Sequence, residues 1–244
     1  MTFIDINCDI AEGFPYDQEL MKYISSANIA CGFHAGDHQT MRRTVKLALE
    51  NSVKIGGHPG LDDRKNFGRK KRNISPEDLY SLLLFQFGAL FAITKAEGGH
   101  LHHIKAHGAL YHMINEEVDL AKAFCHSIIN FDPHLTIYCP PYGQLHTIGN
   151  SFGLTIKKEV FADRTYRKDG SLVPREKEHA MITRKEEALK QLLLVITEEK
   201  VMCEDNTELA LSGDTFCLHS DQPQAASFAK YLRKQLGNHQ IRIM

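Results

Sequence analysis

The sequence predicts an α/β fold: one closed or nearly closed barrel of seven parallel strands alternating with helices. Three observations carry this reading. Strand-like and helix-like segments alternate from end to end, which implies parallel pairing through right-handed crossovers. The length of 244 residues suits a single barrel, whose typical size is roughly 250 residues. Strand-like runs also end repeatedly in polar residues: FIDINCDIAEG in acids, ANIACGFH in His34, VKIGGHPG in His58, HIKAHGAL in Lys105 and His107, and DTFCLHSD in His219. An open doubly wound sheet fits the alternation too, but it gathers functional residues at one switch point. A barrel brings all its strand C-termini to one face, where active sites form.

Phe3–Cys8 reads as the first strand and Ala27–Gly32 as the second. Asp37 is placed to cap a helix whose apolar residues Met41, Val45, Ala48 and Leu49 recur at helical spacing. Val53–Gly56 is the third strand, followed by a basic loop from Arg64 to Arg72. Ser75, Pro76, Glu77 and Asp78 form a strong helix start: a capping hydroxyl, a first-turn proline and acids against the positive dipole end. That helix runs to about Glu97. Its charge-free stretch Leu79–Thr94 is shorter than the ~20 residues of a membrane span and reads as a buried helix that could also pack on another protein chain.

His102–Ala106 is the fourth strand, with a helix near Glu116–Asn130. Leu135–Cys139 and Thr155–Phe161 are the fifth and sixth strands. The segment Ala162 to Ile182 lacks periodicity, and loops of that length are usually lids or binding loops. Thr183 to Glu186 reads as a capping box opening the next helix, Val201–Leu211 as a small hairpin, Thr215–His219 as the seventh strand and Gln222–Leu236 as the closing helix. With no linker, repeat or low-complexity tract, residues 1–244 read as one domain.

Basic residues total 29 and acidic residues 30, so no global field recruits nucleic acid or an anionic membrane. The six cysteines form no C-x-x-C pair and fall mostly in apolar runs, as expected of free thiols in a reducing, cytoplasmic protein. No signal peptide opens the sequence. No Walker motif, no G-x-G-x-x-G and no G-x-S-x-G elbow occurs.

In a strand, Asp5, Asn7 and Asp9 point to one side. Inside a barrel, such groups must pair with a metal, a cation or hydrogen-bond donors. Glu12 follows at the strand mouth. His34 and His58 sit in glycine-rich turns, as ligands or acid–base groups. Lys105 and His107 share one face, where Lys105 needs an anionic partner. Arg164 offers a planar fork for a carboxylate or phosphate, and His219 and Asp221 close the last strand. His100, His102, His103 and His112 fall off this register and read as surface or packing residues. Asp and His at strand ends suit a hydrolytic metal site, here Asp9, His58 and His107, and also metal-free acid–base chemistry.

DINCDIAEGF, SANIACGFHAGD, MRRTVKLALE, IGGHPGLDD, KAHGALY, EVFADRTYRKDGSLVPR and LHSD together resemble the LamB/YcsF family, whose characterised role is the A component of 5-oxoprolinase. The resemblance runs from about Ile4 to the last helix. It implies a TIM-like barrel related to glycoside hydrolase and deacetylase folds, partner subunits B and C, and ATP-dependent opening of the 5-oxoproline lactam to glutamate. The family's polar set falls on Asp5, Asn7, Asp9, Glu12, His34, Asp37, His58, Lys105, His107, Asp163, Arg164, His219 and Asp221. Ala11 and Ser220 stand where the family keeps glycine, which would narrow the pocket.

The expected roles follow. Asp9, Glu12, His34, His58 and His107 position and activate water, with or without a divalent metal. Lys105 and Arg164 hold the substrate carboxylate and the developing oxyanion, with Asn7, His219 and Asp221 completing the substrate pocket. ATP is bound by the complex. A metal-dependent deacetylase or glycan hydrolase is the competing reading, and a non-catalytic substrate-binding or scaffolding component is the third.

Overall fold

The computed structural model describes residues 2–221 and 224–244. Its strands are β1 (Thr2–Ile10), β2 (Ser26–Ala30), β3 (Lys54–His58), β4 (Leu101–Ile104), β5 (Thr136–Cys139), β6 (Ile156–Phe161), β7 (Lys200–Met202), β8 (Glu208–Ala210), β9 (Thr215–Leu218) and β10 (Ile241–Ile243). The helices are α1 (Asp17–Leu20), α2 (His38–Glu50), α3 (Pro76–Ala96), α4 (Gly108–Glu116), α5 (Val118–Phe131), α6 (Gln144–Ser151), α7 (Lys185–Glu198) and α8 (Ala225–Asn238). Strands β1 to β6 pair in order, β6 pairs with β9, and β9 returns to β1, all parallel. The seven-stranded barrel is therefore closed. β10 adds a parallel clip outside the ring, aligning Thr2 with Ile241, and β7–β8 forms the expected antiparallel hairpin.

The pleat sorts β1 cleanly. Ile4, Ile6, Cys8 and Ile10 join the apolar layer beneath the helices, while Asp5, Asn7 and Asp9 enter the interior. Bulky aliphatic residues usually fill a barrel, but this one is filled by a hydrogen-bonded polar network. Gly56 on β3 makes room for it: a Cβ there would lie 2.1 Å from His103 Nε2.

Several boundaries differ from expectation. α1, α4, α6 and β10 are additions to the predicted pattern; α4 starts directly after His107, and Glu117 separates it from α5. α3 is amphipathic rather than wholly buried. Leu79, Leu83, Phe87 and Leu90 are covered, but Phe85 and Phe91 are exposed, and Phe85 stacks on Phe33. Ser75 caps α3 as expected, accepting from the Asp78 amide and donating to its carboxylate. The box at Thr183 does not form: Arg184 is the N-cap of α7, with no side-chain cap bond. Of the closing helix expected from Gln222, Gln222 and Pro223 lie outside the described residues, and α8 begins at Ala225.

Candidate active site

The floor of the barrel is organised around Asp5. Ser25 and Ser26 donate to its Oδ1, and Tyr138 and Thr215 donate to its Oδ2. Burial opposes ionisation, but the Ser26 and Thr215 hydroxyls, with His103 and Lys54 close by, hold its carboxyl below the usual range. Above it, Asn28 donates to Asn7 and Asp9 and accepts from His103, whose ring stacks on Tyr138. His103, expected off the strand-end register, instead lies buried in the interior network, two residues before Lys105 on the same strand face.

Lys105 stands at the centre. Its ammonium lies 2.9 Å from Asp9 Oδ1, 2.8 Å from Glu159 Oε1, 3.1 Å from Cys217 Sγ and 3.3 Å from Asn7 Oδ1. Four protein acceptors surround three N–H bonds. Burial disfavours the charge, but Asp9, Cys217 and Glu159 hold the amine protonated, well above its ordinary range. Lys105 therefore orients Asp9 and has no N–H left for a substrate oxygen. Asp9 keeps Oδ2 toward His58, 3.4 Å away. Despite burial, His58 and Lys105 hold its carboxyl well below the usual carboxylate range.

A second group sits at the rim. His34 Nε2 donates to Glu12 Oε1 at 3.1 Å, and the same oxygen lies 3.0 Å from His107 Nδ1 and 3.6 Å from His58 Nε2. His58 Nδ1 donates to the Lys105 carbonyl, and His107 Nε2 donates to the Phe67 carbonyl. Carbonyls only accept, so both rings carry a proton on the nitrogen facing away from the other. The remaining nitrogens, His58 Nε2 and His107 Nδ1, face each other at 2.9 Å. Burial drives His34 down to about 3 and lowers His107. Burial also works against protonation of His58, but Asp9 and Glu12 raise it above its ordinary value. Glu12, although buried, is held well below the carboxylate range by the adjacent His107 ring and by the bond from His34.

The basic loop closes over this group. Phe67 packs on the His34 and His107 rings. Gly68, at φ +63, fits where a Cβ would lie 2.8 Å from His34 Cβ. Arg64 ties the loop to the Gly32 and Gly36 carbonyls. A cavity of ≈ 510 Å³, lined by Glu12, His34, Arg43, Arg64 and Phe67 among others, opens beside it.

On the far side, Asp163 accepts from the His219 amide and from its Nδ1 at 2.8 Å. This fixes the ring and leaves Nε2 toward the interior, where a carboxylate oxygen of Asp9, the Cys217 sulfur and a ring nitrogen of His219 lie within 4.8 Å of one another. Arg164 is buried and donates to the Ala180 and Val173 carbonyls, so it holds the long loop in shape. Burial and nearby Arg175 lower it to about 10. Asp221 accepts from Arg69 and Arg175 at the mouth.

Asn7, Asp9, Glu12, His34, His58, Lys105, His107 and His219 thus meet in one interior, while Arg164 and Asp221 stand at its edge. Asn28, Glu159 and Arg175 join them without having stood out in the sequence. Glu159 shares a face with Phe161 by period two, a usable signal masked by its lysine neighbours. The two departures from family glycines are both accommodated. Ala11 adopts φ +67, with its N–H on Asp17 Oδ2. Ser220 is buried with an unpartnered hydroxyl.

The LamB/YcsF family model matches residues 4–244. The chain is 46% identical to the 5-oxoprolinase A component of Shouchella clausii, covering 100% of this chain and 98% of that one. The crystal structure of a lactam utilization protein from Thermus thermophilus superposes with a TM-score of 0.93 at 36% identity, covering 100% and 99%. A family 4 carbohydrate esterase from Streptomyces lividans shares the fold alone, with a TM-score of 0.52 at 8% identity over 99% and 91% of the two chains. By its whole length and by the strings that line its interior, the chain belongs to the LamB/YcsF family.

Proposed function

We propose that this chain is the A component of an ATP-dependent 5-oxoprolinase, opening the lactam of 5-oxoproline to glutamate with partner subunits B and C. The observation that carries the reading is the full-length match to the 5-oxoprolinase A component of Shouchella clausii, on a chain that gathers its acids and histidines in one buried interior. An unstrained five-membered lactam resists water, so activation of its carbonyl oxygen by phosphorylation is chemically sensible, and ATP enters through the complex. Free buried thiols support a cytoplasmic setting.

Water adds to the activated carbonyl carbon, the C–N bond breaks as the nitrogen takes a proton, and a second water hydrolyses the resulting acyl phosphate to glutamate and inorganic phosphate. Asp9 Oδ2 draws the proton from water, with Lys105 fixing Asp9 and His58 standing 3.4 Å from that oxygen. His219, oriented by Asp163, presents Nε2 for the proton that the departing nitrogen needs. His34 holds Glu12 against His107.

The rim group fits a divalent cation. Ligand atoms held about 2.0–2.1 Å from an ion stand about 3.0–3.4 Å apart. Glu12 Oε1, His58 Nε2 and His107 Nδ1 are separated by 2.9, 3.0 and 3.6 Å, with both histidines held by backbone carbonyls as metal ligands commonly are. His34 is excluded because its ring lies parallel to His107 at 3.7 Å, so their lone pairs cannot converge. Glu12, His58 and His107 would hold the ion, beside Asp9. A bound ion would supply a more acidic water and polarise the carbonyl.

The deacetylase reading has only the shared fold behind it. The test is to co-purify the chain with its partner subunits and follow glutamate release from 5-oxoproline with ATP. His107→Ala and Asp9→Asn are expected to lower kcat at least about 100-fold; full activity in both would remove these roles, and an active complex assembled without this chain would remove the reading.

A further inference from the structure

Resting on the 5-oxoprolinase reading, one question follows from Lys105: if its N–H bonds are all taken by protein acceptors, something else must recognise the substrate's carboxylate. The mouth of the barrel holds a candidate. Arg69 Nη2 and Arg175 Nη1 both donate to one oxygen of Asp221, at 2.8 and 2.7 Å. The other Asp221 oxygen is buried without a hydrogen bond. Each guanidinium is thus held by one arm, leaving further N–H groups of a fork that matches a carboxylate bidentately.

Charge at this point is unbalanced. Buried Arg164 has no carboxylate within ion-pair distance among the described residues, and Asp163 beside it is committed to His219. Three guanidiniums therefore share one free counter-charge, Asp221. The place is also right. Arg69 lies over the Phe67 ring at 4.9 Å, and that ring stands 5.3 Å from the His107 ring. The arginines come from two separate loops and converge one aromatic layer above the reacting groups.

We propose that Arg69 and Arg175 form the anion subsite that binds the carboxylate of the lactam, and that Asp221 positions the two arginines rather than touching substrate. An incoming carboxylate completes the charge balance that Asp221 leaves unfinished. A neutral lactam gains nothing there.

The experiment compares KM for 5-oxoproline and for the neutral lactam 2-pyrrolidinone in the complex carrying wild type, Arg69→Gln, Arg175→Gln or Arg175→Lys. Each glutamine variant is expected to raise KM for 5-oxoproline about 10- to 100-fold, the loss of a charge-assisted hydrogen bond, with kcat within about threefold. The preference over 2-pyrrolidinone should fall in step, and Arg175→Lys, which keeps charge without the fork, should lie between. Unchanged KM and preference in the variants, with circular dichroism matching wild type, would overturn the subsite. Should a glutamine variant not fold, unchanged KM in Arg175→Lys counts against it equally. A wild-type complex without activity would instead sink the 5-oxoprolinase reading. Calorimetry of 5-oxoproline against 2-pyrrolidinone on the chain alone would then decide the subsite, selective binding that the variants lose supporting it and equal binding removing it.

Discussion

His58 and His107 face each other through ring nitrogens 2.9 Å apart, and backbone carbonyls keep the proton of each ring on its far side. Two lone pairs cannot rest at that distance without positive charge between them. One proton, on His58, relieves a single edge of the triangle with Glu12; a divalent ion relieves all three.

A cation is accordingly expected to bind metal-free protein at one site per chain. Calorimetric titration with zinc or manganese reads it directly, and His58→Ala or His107→Ala should abolish it. Absence of binding by wild type would leave the proton as the occupant.

Lys105 between Asp9 and Glu159 makes a second prediction. Lys105→Met leaves two buried carboxylates without their cation and should cost about 3–5 kcal/mol of stability in urea denaturation. Glu159→Gln in the same chain removes one stranded charge and should recover part of the loss. If Lys105→Met denatures at the wild-type midpoint, the buried triad contributes nothing.

Asp17 should set a pH dependence. Burial raises its carboxyl to about 6, against donation from the Ala11 amide. The folded chain therefore holds this proton more tightly than the unfolded chain between about pH 4 and 6. Stability from this group grows as pH falls through that window, and its ionisation penalty is complete above it. Asp17→Asn should stabilise by about 1–2 kcal/mol at pH 8, shrinking toward zero near pH 4. An advantage equal at both pH values would show that ionisation is not its source.

Two hydroxyls test the helix starts. Ser75→Ala should cost about 1 kcal/mol, because its side chain caps α3. Thr183→Ala should stay within about 0.5 kcal/mol, because α7 begins one residue later without it. Equal losses in chemical denaturation would contradict the assignment.

The barrel is legible because strand ends carry their chemistry in sequence: Asp9, His34, His58, Lys105 and His107 each close a β-rich run, and the chain order maps onto the ring. What local pattern cannot reveal is which side chain consumes another's donors. Lys105 reads as a substrate clamp until Glu159 and Cys217, distant in sequence, are seen against it. Arg175 lies in an aperiodic loop where no register assigns a direction. α4 is hidden because a glycine at φ +53 opens it immediately after a strand-end histidine. The cap expected at Thr183 falls one residue early, within the usual uncertainty of helix ends.

The cluster around Asp5 bears on how this protein can change over time. Ser25, Ser26, Tyr138 and Thr215 all donate to one buried carboxylate, which Lys54 also faces at 3.5 Å, so altering any of the four alone takes a donor from a charge that solvent does not reach. No single replacement leads from this arrangement to an oily one. Descendants are therefore expected to inherit these five positions as a block, or to exchange them together.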